Sequence, residues 1–370
     1  MPLTVVQLLP ALEAGGVERG SVEIARALVE RGHRAIVVSS GGRLVPKLES
    51  FGAEHMRLDI GGKSLFTLGL VAPLAQLLRD RGAHILHARS RLPAWIGVLA
   101  RRRLGPRAPH LVTTVHGPYS VNPYSAVMTR GERVIAISEF IRAYILNNYP
   151  RTDPGRIRVI HRGVSAAEFP RDYQPSAAWY AGWQTAFPQL RGKTLITLPA
   201  RITRWKGQED FIDLVGLLRG RGVDIHGVLV GGTEPRRQSF MEELQAQVRR
   251  ENLAPHISFV GHRDDVREIM AISAVVLSMA RIPEAFGRTA LEALSLGVPV
   301  VGYDHGGTSE ILRPLFAAGL VPPGAISTAA DRISAILEQR PDIPVAQPFP
   351  LQRMLDETLA VYEELAGQRP

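Results

Sequence analysis

Short runs of apolar residues alternate with segments of helical periodicity along most of the chain, and this alternation most constrains the fold. A strand that is apolar at every position is buried on both faces, which is typical of a parallel sheet covered by helices on each side. In the first part of the chain the predicted strands are Leu3–Leu9, Ala35–Ser39, His84–His87, Leu111–Val115, Val134–Ser138 and Ile157–Val164. The pattern predicts a doubly wound α/β domain.

The same alternation resumes after an interruption, so we expect a second α/β domain. The chain of 370 residues suits two domains of about 150–200 residues each. Further strands are predicted at Thr194–Pro199, Gly227–Val230, Ile257–Val260, Ala274–Leu277 and Val298–Val301, with a last helix near Leu351–Leu365. The predicted boundaries are 1–165 for the first domain, 166–192 for a linker region, 193–348 for the second domain and 349–370 for the last helix.

Composition and charge exclude several classes of function. Cysteine is absent, which excludes disulfides, thiolate metal sites and a cysteine nucleophile. Lys and Arg number 44 against 35 Asp and Glu, a formal charge of +9, which favours anionic partners, although genome composition explains the arginine excess equally well. Nucleic acid is not expected, because no helix-turn-helix, zinc-finger or RNA-binding aromatic motif is present. No signal peptide or membrane-spanning run is visible, so we expect a soluble or at most peripheral protein in the cytoplasm.

Two strand ends in the first domain carry groups that suit a ligand. Gly15-Gly16 follows the first strand and precedes a helix, whose N-terminus offers free N–H donors to an anion. His116-Gly117 ends a later strand, where a histidine can bond a hydroxyl or move a proton. An ordinary turn and a structural histidine explain the same letters.

In the second domain, Arg201 and Lys206 leave the same strand end, just before a predicted helix. An arginine fork and a lysine point charge together suit two adjacent phosphates. A solvated basic loop is the alternative.

The segment Pro283–Ala293 is the most informative part of the sequence. Gly287 precedes a helix predicted from about Arg288 to Leu296, and the N-terminus of this helix is a second anion site. Glu284 lies in the loop before the helix and could meet a sugar. Glu292 lies more than one turn inside it, among apolar residues, where a buried carboxylate needs a partner such as a ribose diol.

Together these residues resemble the donor-site signature of the family 4 glycosyltransferases. The resemblance rests on Glu284–Glu292, Gly297–Val301 and Gly306-Gly307, with further landmarks in the right order at Gly15-Gly16, His116-Gly117, Ser138-Glu139, Arg201 and Lys206-Gly207. It covers nearly the whole chain. It implies the GT-B fold, which is two Rossmann-like doubly wound domains facing across a cleft, with the last helix crossing back to the first domain.

The resemblance also implies roles for single residues. It makes His116, Glu284, Arg201 and Lys206 the catalytic set, with Arg201 and Lys206 on the donor diphosphate. Glu284 and the backbone of Phe286 and Gly287 would hold the transferred sugar, His116 would contact it near the reacting carbon, and Glu292 would bind the ribose hydroxyls. The remaining donor-binding residues are Gly15 and Gly16 near the phosphates, the backbone amides of Arg288 and Thr289, and Arg263 beside the base.

The family implies transfer with retention, without a metal or other cofactor. The sequence shows no aspartate cluster beside the site; the one adjacent aspartate pair, Asp264-Asp265, is predicted to cap the helix after Arg263. No carboxylate is an evident nucleophile. We therefore expect a front-face route, in which the leaving diphosphate assists deprotonation of the acceptor.

The expected partners are a nucleotide-diphosphate sugar and an anionic glycan or glycolipid acceptor. The opening Gly-Gly-Val-Glu-Arg-Gly and the segment Asp304–Gly307 look similar to those of bacterial lipopolysaccharide-core sugar transferases. A basic face near Leu65–Leu70 and Trp95 would suit the cytoplasmic side of the inner membrane, with scattered solvated arginines as the alternative. Its arginines are Arg79, Arg81, Arg89, Arg91, Arg101, Arg102, Arg103 and Arg107.

Other functions stay open at this point. A nucleotide-sugar 2-epimerase of the same architecture would isomerise the donor and use no acceptor, and a non-catalytic nucleotide-sugar binding protein would leave it intact. A pyridoxal-phosphate-dependent phosphorylase is disfavoured, because the second domain offers only Lys193 and Lys206. One departure from the family is noted: many relatives have Pro-Asn-Gly where this chain has His161-Arg162-Gly163.

Overall fold

The computed structural model describes residues 1–13, 15–62, 64–234, 237–344 and 348–367, without the side chains of Leu65 and Phe66. The chain divides into two compact units. The first comprises Met1–Arg162 together with Leu351–Pro370, and the second comprises Gly163–Pro350.

The first unit is built on seven parallel strands. They are β1 (Thr4–Leu8), β2 (Arg34–Ser39), β3 (Glu54–Arg57), β4 (Ile85–Ala88), β5 (His110–Val115), β6 (Arg133–Ala136) and β7 (Ile157–Val159), in the order β3-β2-β1-β4-β5-β6-β7. The α-helices between them are α1 (Gly16–Glu30), α2 (Val45–Glu49), α3 (Val71–Asp80), α4 (Arg91–Leu104) and α5 (Glu139–Asn148). Short 3-10 turns lie at Leu65–Leu70, Gly105–Arg107, Ser125–Thr129 and Pro154–Arg156.

Both faces of the first sheet are covered, as the apolar strands predict. Val5 faces a core that includes Leu28 of α1, while its neighbour Val6 faces a second core that includes Leu74 of α3 and Ile96 of α4. Because side chains alternate along a strand, consecutive valines reach opposite layers. This is the doubly wound arrangement.

The second unit repeats the architecture with six parallel strands. They are β8 (Leu195–Pro199), β9 (His226–Val230), β10 (Ile257–Gly261), β11 (Val275–Ser278), β12 (Val300–Tyr303) and β13 (Leu320–Val321), in the order β10-β9-β8-β11-β12-β13. Its α-helices are α6 (Ala177–Ala186), α7 (Gln208–Gly220), α8 (Gln238–Arg250), α9 (Val266–Ala271), α10 (Arg288–Ser295), α11 (Gly306–Phe316) and α12 (Ile326–Gln339), with 3-10 turns at Pro188–Leu190 and Ala317–Gly319.

The predicted linker, residues 166–192, does not form a separate segment. It belongs to the second unit, where α6 presents Trp179 and Trp183 to the apolar core beside β9 and β10. The two indole rings stack at 5.3 Å, and Phe187 lies 4.5 Å from Trp183. Aromatic packing of this kind fixes the segment to the sheet.

The last helix, α13 (Leu351–Ala366), belongs to the first unit. Met354 and Leu359 join the core beside α1, and the Tyr362 hydroxyl lies 2.6 Å from His87 Nδ1 at the end of β4. Glu364 pairs with Arg133 of β6. Apolar and polar contacts therefore both hold α13 against the first unit.

Strand order reverses once in each sheet, and this locates the sites. β1 lies between β2 and β4, and β8 lies between β9 and β11. Ligands in doubly wound sheets bind at the carboxyl ends of the strands next to such a reversal. No helix in the described part of the chain is long and apolar enough to cross a membrane.

Candidate functional site

In the second unit, the loops after β8 and β11 bring a predicted cation and a predicted carboxylate into contact. Lys206 Nζ lies 2.6 Å from Glu284 Oε1, and the two side chains are only 18% and 19% exposed. The ammonium group also lies 4.4 Å from the ring centroid of Trp205. The sequence predicts both residues for the site but not that they bind each other.

Gly207 makes this approach possible. Its φ is +79°, and a Cβ atom at this position would lie 2.0 Å from the carbonyl oxygen of Met279. Only glycine fits such a backbone without moving a neighbouring strand end. The loop after β8 therefore lies directly against the end of β11.

The loop that carries Glu284 is held from the other side by α11. The N–H of Gly307 donates to the carbonyl oxygen of Glu284 at 2.8 Å. A Cβ atom on Gly307 would lie 2.2 Å from Cα of Phe286, and one on Gly306 would lie 2.6 Å from the Glu284 carbonyl oxygen. The Phe286 side chain is buried, with its ring edge-on to Phe349 at 5.8 Å. These glycines are required by backbone packing.

Helix α10 begins directly after this loop. Gly287 is its N-cap residue, lies in the left-handed region with φ +81°, and has no side chain with which to cap the helix. The first N–H groups of an α-helix have no acceptor inside the helix, so the backbone amides of Arg288 and Thr289 suit an anion.

Glu292 is buried one turn further along α10, as predicted. The residue is 8% exposed, and its carboxylate accepts a hydrogen bond from Arg288 Nε at 2.8 Å. The guanidinium of Arg288 is thus a partner for the carboxylate that the sequence assigned to a ribose.

Arg201 and Arg263 differ in how they are engaged. The Arg201 side chain is 68% exposed, and its Nη1 atom lies 3.9 Å from Oε1 of Glu234. The Arg263 guanidinium binds both oxygens of Asp265 at 2.8 and 2.5 Å, close to the rings of Trp183 and Phe187. The structure thus places an exposed arginine after β8 and an engaged one after β10.

The predicted helix cap at Asp265 is wrong. Asp265 occupies the N-cap position of α9, but its side chain makes no capping hydrogen bond. It instead accepts from Arg263 and, at 2.7 Å, from Trp179 Nε1. A guanidinium and an indole N–H therefore bind this carboxylate in place of the helix amides.

In the first unit, Gly15 and Gly16 begin α1. Gly16 does not have a positive φ, and a Cβ atom there would meet no described atom within 4 Å. A glycine at the start of a helix lowers helix stability by up to about 1 kcal/mol relative to alanine. Since packing does not require Gly16, the open space beside it is consistent with close approach of a ligand.

His116, after β5, is bound to a residue that the sequence analysis did not select. Arg162 Nη2 lies 3.1 Å from His116 Nδ1 and 3.5 Å from the Gly16 carbonyl oxygen. Arg162 is 9% exposed. Its only signal in the sequence is the departure from Pro-Asn-Gly, which does not predict burial.

The pKa of His116 lies well below its usual value. Burial is the largest cause, followed by the positive charges of Arg162 and Arg89. The same influences lower the pKa of His87. Both imidazoles are therefore neutral at pH 7.

The predicted basic face is wrong for Arg89. This side chain is 1% exposed, and its Nη1 donates to Gln7 Oε1 at 3.1 Å. Arg89 and Arg91 follow the C-terminal end of β4. The arginines at the C-terminal ends of α3 and α4 lie near the N-terminal ends of the strands, because each of these helices leads into the next strand. The arginines do not form a single face.

The predicted site residues thus fall into two sets. The first unit carries Gly15, Gly16 and His116, and the second carries Arg201, Lys206, Arg263, Glu284, Phe286, Gly287, Arg288, Thr289 and Glu292. Within the described residues, no three His, Asp or Glu side chains are grouped so as to hold a metal ion.

Family models match both parts of the chain. The model for Glycosyltransferase Family 4 matches residues 14–168, and the model for Glycosyl transferases group 1 matches residues 185–348. Together the two matches include most of the chain.

Curated relatives are similar over much of their length. A D-inositol 3-phosphate glycosyltransferase of Jonesia denitrificans is 26% identical, covering 95% of this chain and 91% of the relative. The lipopolysaccharide core biosynthesis mannosyltransferase LpsB of Rhizobium meliloti is 25% identical, covering 77% and 80%.

Solved structures agree with the fold. A glycosyltransferase of Rickettsia africae superposes with a TM-score of 0.85 at 27% identity, covering 100% of both chains. The Anabaena protein HepE in complex with UDP gives 0.81 at 21% identity, covering 98% of this chain and all of that one. These findings confirm the two Rossmann-like domains of the GT-B fold.

The two kinds of glycine can be told apart by substitution. Gly307→Ala is expected to lower the free energy of unfolding of the second unit by about 1–3 kcal/mol, because its Cβ would overlap the backbone of Phe286. Gly16→Ala is expected to leave the first unit as stable or up to about 1 kcal/mol more stable. Hydrogen exchange of peptides from each unit measures both, and equal losses from the two substitutions would contradict the distinction.

Proposed function

Because the chain belongs to glycosyltransferase family 4, we propose that this glycosyltransferase retains the configuration of the sugar that it transfers and needs no metal ion. Its donor is a nucleotide-diphosphate sugar carrying a hexose. Its acceptor is an anionic glycan or glycolipid of the cell envelope, such as lipopolysaccharide core.

The observation that carries the donor proposal is the position of Lys206. The ammonium group binds Glu284, which lies in the loop that leads to the N-terminus of α10. A diphosphate placed there would take up the charge of Lys206 and the amides of Arg288 and Thr289. Glu284, released from Lys206, could then accept hydrogen bonds from sugar hydroxyls. Arg201, exposed after β8, is the second cation for the diphosphate.

The buried carboxylate of Glu292 suits the ribose of the donor. A carboxylate can accept several hydrogen bonds at once, and Arg288 Nε donates one to Oε1 of Glu292. A ribose diol offers two O–H donors. The resemblance to the family assigns this contact, and the burial of Glu292 supports it.

Retention is proposed to follow a front-face route. The bond between the anomeric carbon and the β-phosphate oxygen breaks, and its electron pair leaves with the diphosphate. The acceptor oxygen forms the new bond on the same face, and its proton passes to a diphosphate oxygen. Lys206 and the amides of α10 stabilise the charge that develops on the leaving group. Trapping of a covalent glycosyl-enzyme would contradict this route.

Donor binding tests the proposal most simply. A thermal-shift panel of UDP, GDP, ADP and CMP and their sugars is expected to show stabilisation by one nucleotide class, unaffected by EDTA. A nucleotide concentration of a hundred times Kd raises the free energy of unfolding by about 2.7 kcal/mol. Lys206→Ala and Glu292→Ala are expected to abolish the shift.

Lys193→Ala is the matched control, because this lysine precedes the N-terminal end of β8, whereas Lys206 follows its C-terminal end. Lys206→Ala leaves the Glu284 carboxylate without its ion-pair partner and can therefore lower stability. The double variant Lys206→Ala/Glu284→Gln also removes that carboxylate charge, and so it separates lost donor binding from lost stability. Absence of any shift at millimolar nucleotide would contradict the transferase proposal.

The acceptor proposal includes a peripheral contact with the cytoplasmic face of the inner membrane. The first unit exposes Leu68, Val121 and Tyr124, and the Arg130 guanidinium lies 4.9 Å from the ring of Trp95. Co-sedimentation with anionic vesicles is expected and should weaken in Leu68→Ser/Val121→Ser. Equal recovery with neutral and anionic vesicles, or none, would contradict this contact.

A further inference from the structure

The contact between Arg162 and His116 determines which nitrogen of the imidazole carries the proton. A guanidinium has only N–H donors and no acceptor. With Arg162 Nη2 at 3.1 Å from His116 Nδ1, the Nδ1 atom must be the acceptor. In the neutral imidazole the proton then lies on Nε2.

The Nε2 atom has no hydrogen-bond partner among the described residues, although it is buried. A buried N–H group without an acceptor is destabilising, because the hydrogen bond that it makes to water in the unfolded chain is not replaced. A ligand oxygen at this position would supply the missing acceptor.

Burial and neighbouring groups favour the neutral form of His116. Burial lowers the pKa of the imidazole most, followed by the charges of Arg162, Arg89 and His87. The Tyr119 hydroxyl accepts from the His116 backbone N–H at 3.3 Å, and its pKa is raised, so it adds no negative charge at neutral pH. The carboxylates of Glu18 and Glu23 on α1 act on Arg89.

The fold makes room for Arg162 at the expense of helix stability. A Cβ atom at Gly20, inside α1, would lie 2.4 Å from Arg162 Nη1. Glycine inside a helix lowers helix stability relative to alanine. Arg162 Nη1 also lies 3.6 Å from Sδ of Met354 on α13. The guanidinium is therefore held by α1, α13 and the end of β5.

We infer that Arg162 is a positioning residue that fixes His116 as the Nε2–H tautomer, so that His116 donates a hydrogen bond to an oxygen of the transferred sugar. The inference rests on the proposed function. It makes His116 a donor throughout the reaction, and it excludes His116 as the base that deprotonates the acceptor.

Nitrogen NMR of the protein labelled with 15N-histidine tests the tautomer directly. The His116 signals are those absent in His116→Gln. In the wild type, Nδ1 is expected to be unprotonated and Nε2 protonated, unchanged from pH 8 to pH 5.5. In Arg162→Met the ring is expected to take up a second proton over this range and to lose the single tautomer.

Activity gives the second measurement. Arg162→Met is expected to lower kcat about ten- to a hundredfold, with little change in KM for the donor, and to add an acidic limb to the pH profile. Arg162→Gln, whose amide can still donate to Nδ1, is expected to restore part of the loss. Gly20→Ala displaces the guanidinium while Arg162 itself is kept, and it should behave like Arg162→Met. It keeps the test valid if Arg162→Met does not fold.

Arg158→Gln is the matched control, since this arginine lies on β7 and pairs with Glu364. A proton on Nδ1 in the wild type, or a wild-type ring that titrates in this range, would overturn the inference while leaving donor binding intact. Failure of donor binding with the expected tautomer present would instead overturn the proposed function.

Discussion

The close packing of Gly306 and Gly307 against the loop before α10 is the constraint on which the donor site depends. The backbone of this loop at Glu284 and Phe286 can lie against the start of α11 only because Gly306 and Gly307 have no side chains. Once the loop is fixed, Gly287 starts α10 and Glu284 meets Lys206. The close packing of two glycines thus positions a cation, a carboxylate and a helix N-terminus together.

The first unit buries two positively charged side chains, Arg89 and Arg162. The hydrogen-bond partners of Arg89 and Arg162 include an amide, a backbone oxygen, a thioether and the His116 imidazole, and the carboxylates of Glu18 and Glu23 on α1 act on Arg89. Burying a guanidinium is unfavourable unless its hydrogen bonds are made. The arrangement keeps His116 neutral, so this unit offers a sugar hydrogen-bond donors instead of a base.

Much of the fold could be predicted because its central strands are apolar at every position. β3 and β13 were missed, since one is a half-buried polar edge strand and the other has two residues. The second-unit residues Lys206, Glu284 and Glu292 were predicted from charges beside glycines at strand ends. Arg162 was not selected as a site residue, because burial of a long basic side chain depends on space that Gly20 leaves on a distant helix.

The most direct test of the account is a nuclear magnetic resonance time course of a nucleotide sugar incubated with the protein and a truncated lipopolysaccharide acceptor. The account predicts that the sugar-diphosphate phosphorus signals are replaced by those of the free nucleoside diphosphate, and that the new glycoside has the donor's anomeric configuration. Lys206→Ala should stop the conversion. A donor that binds but stays intact, or that becomes its C2 epimer without releasing nucleotide, would contradict the account and favour a binding protein or an epimerase.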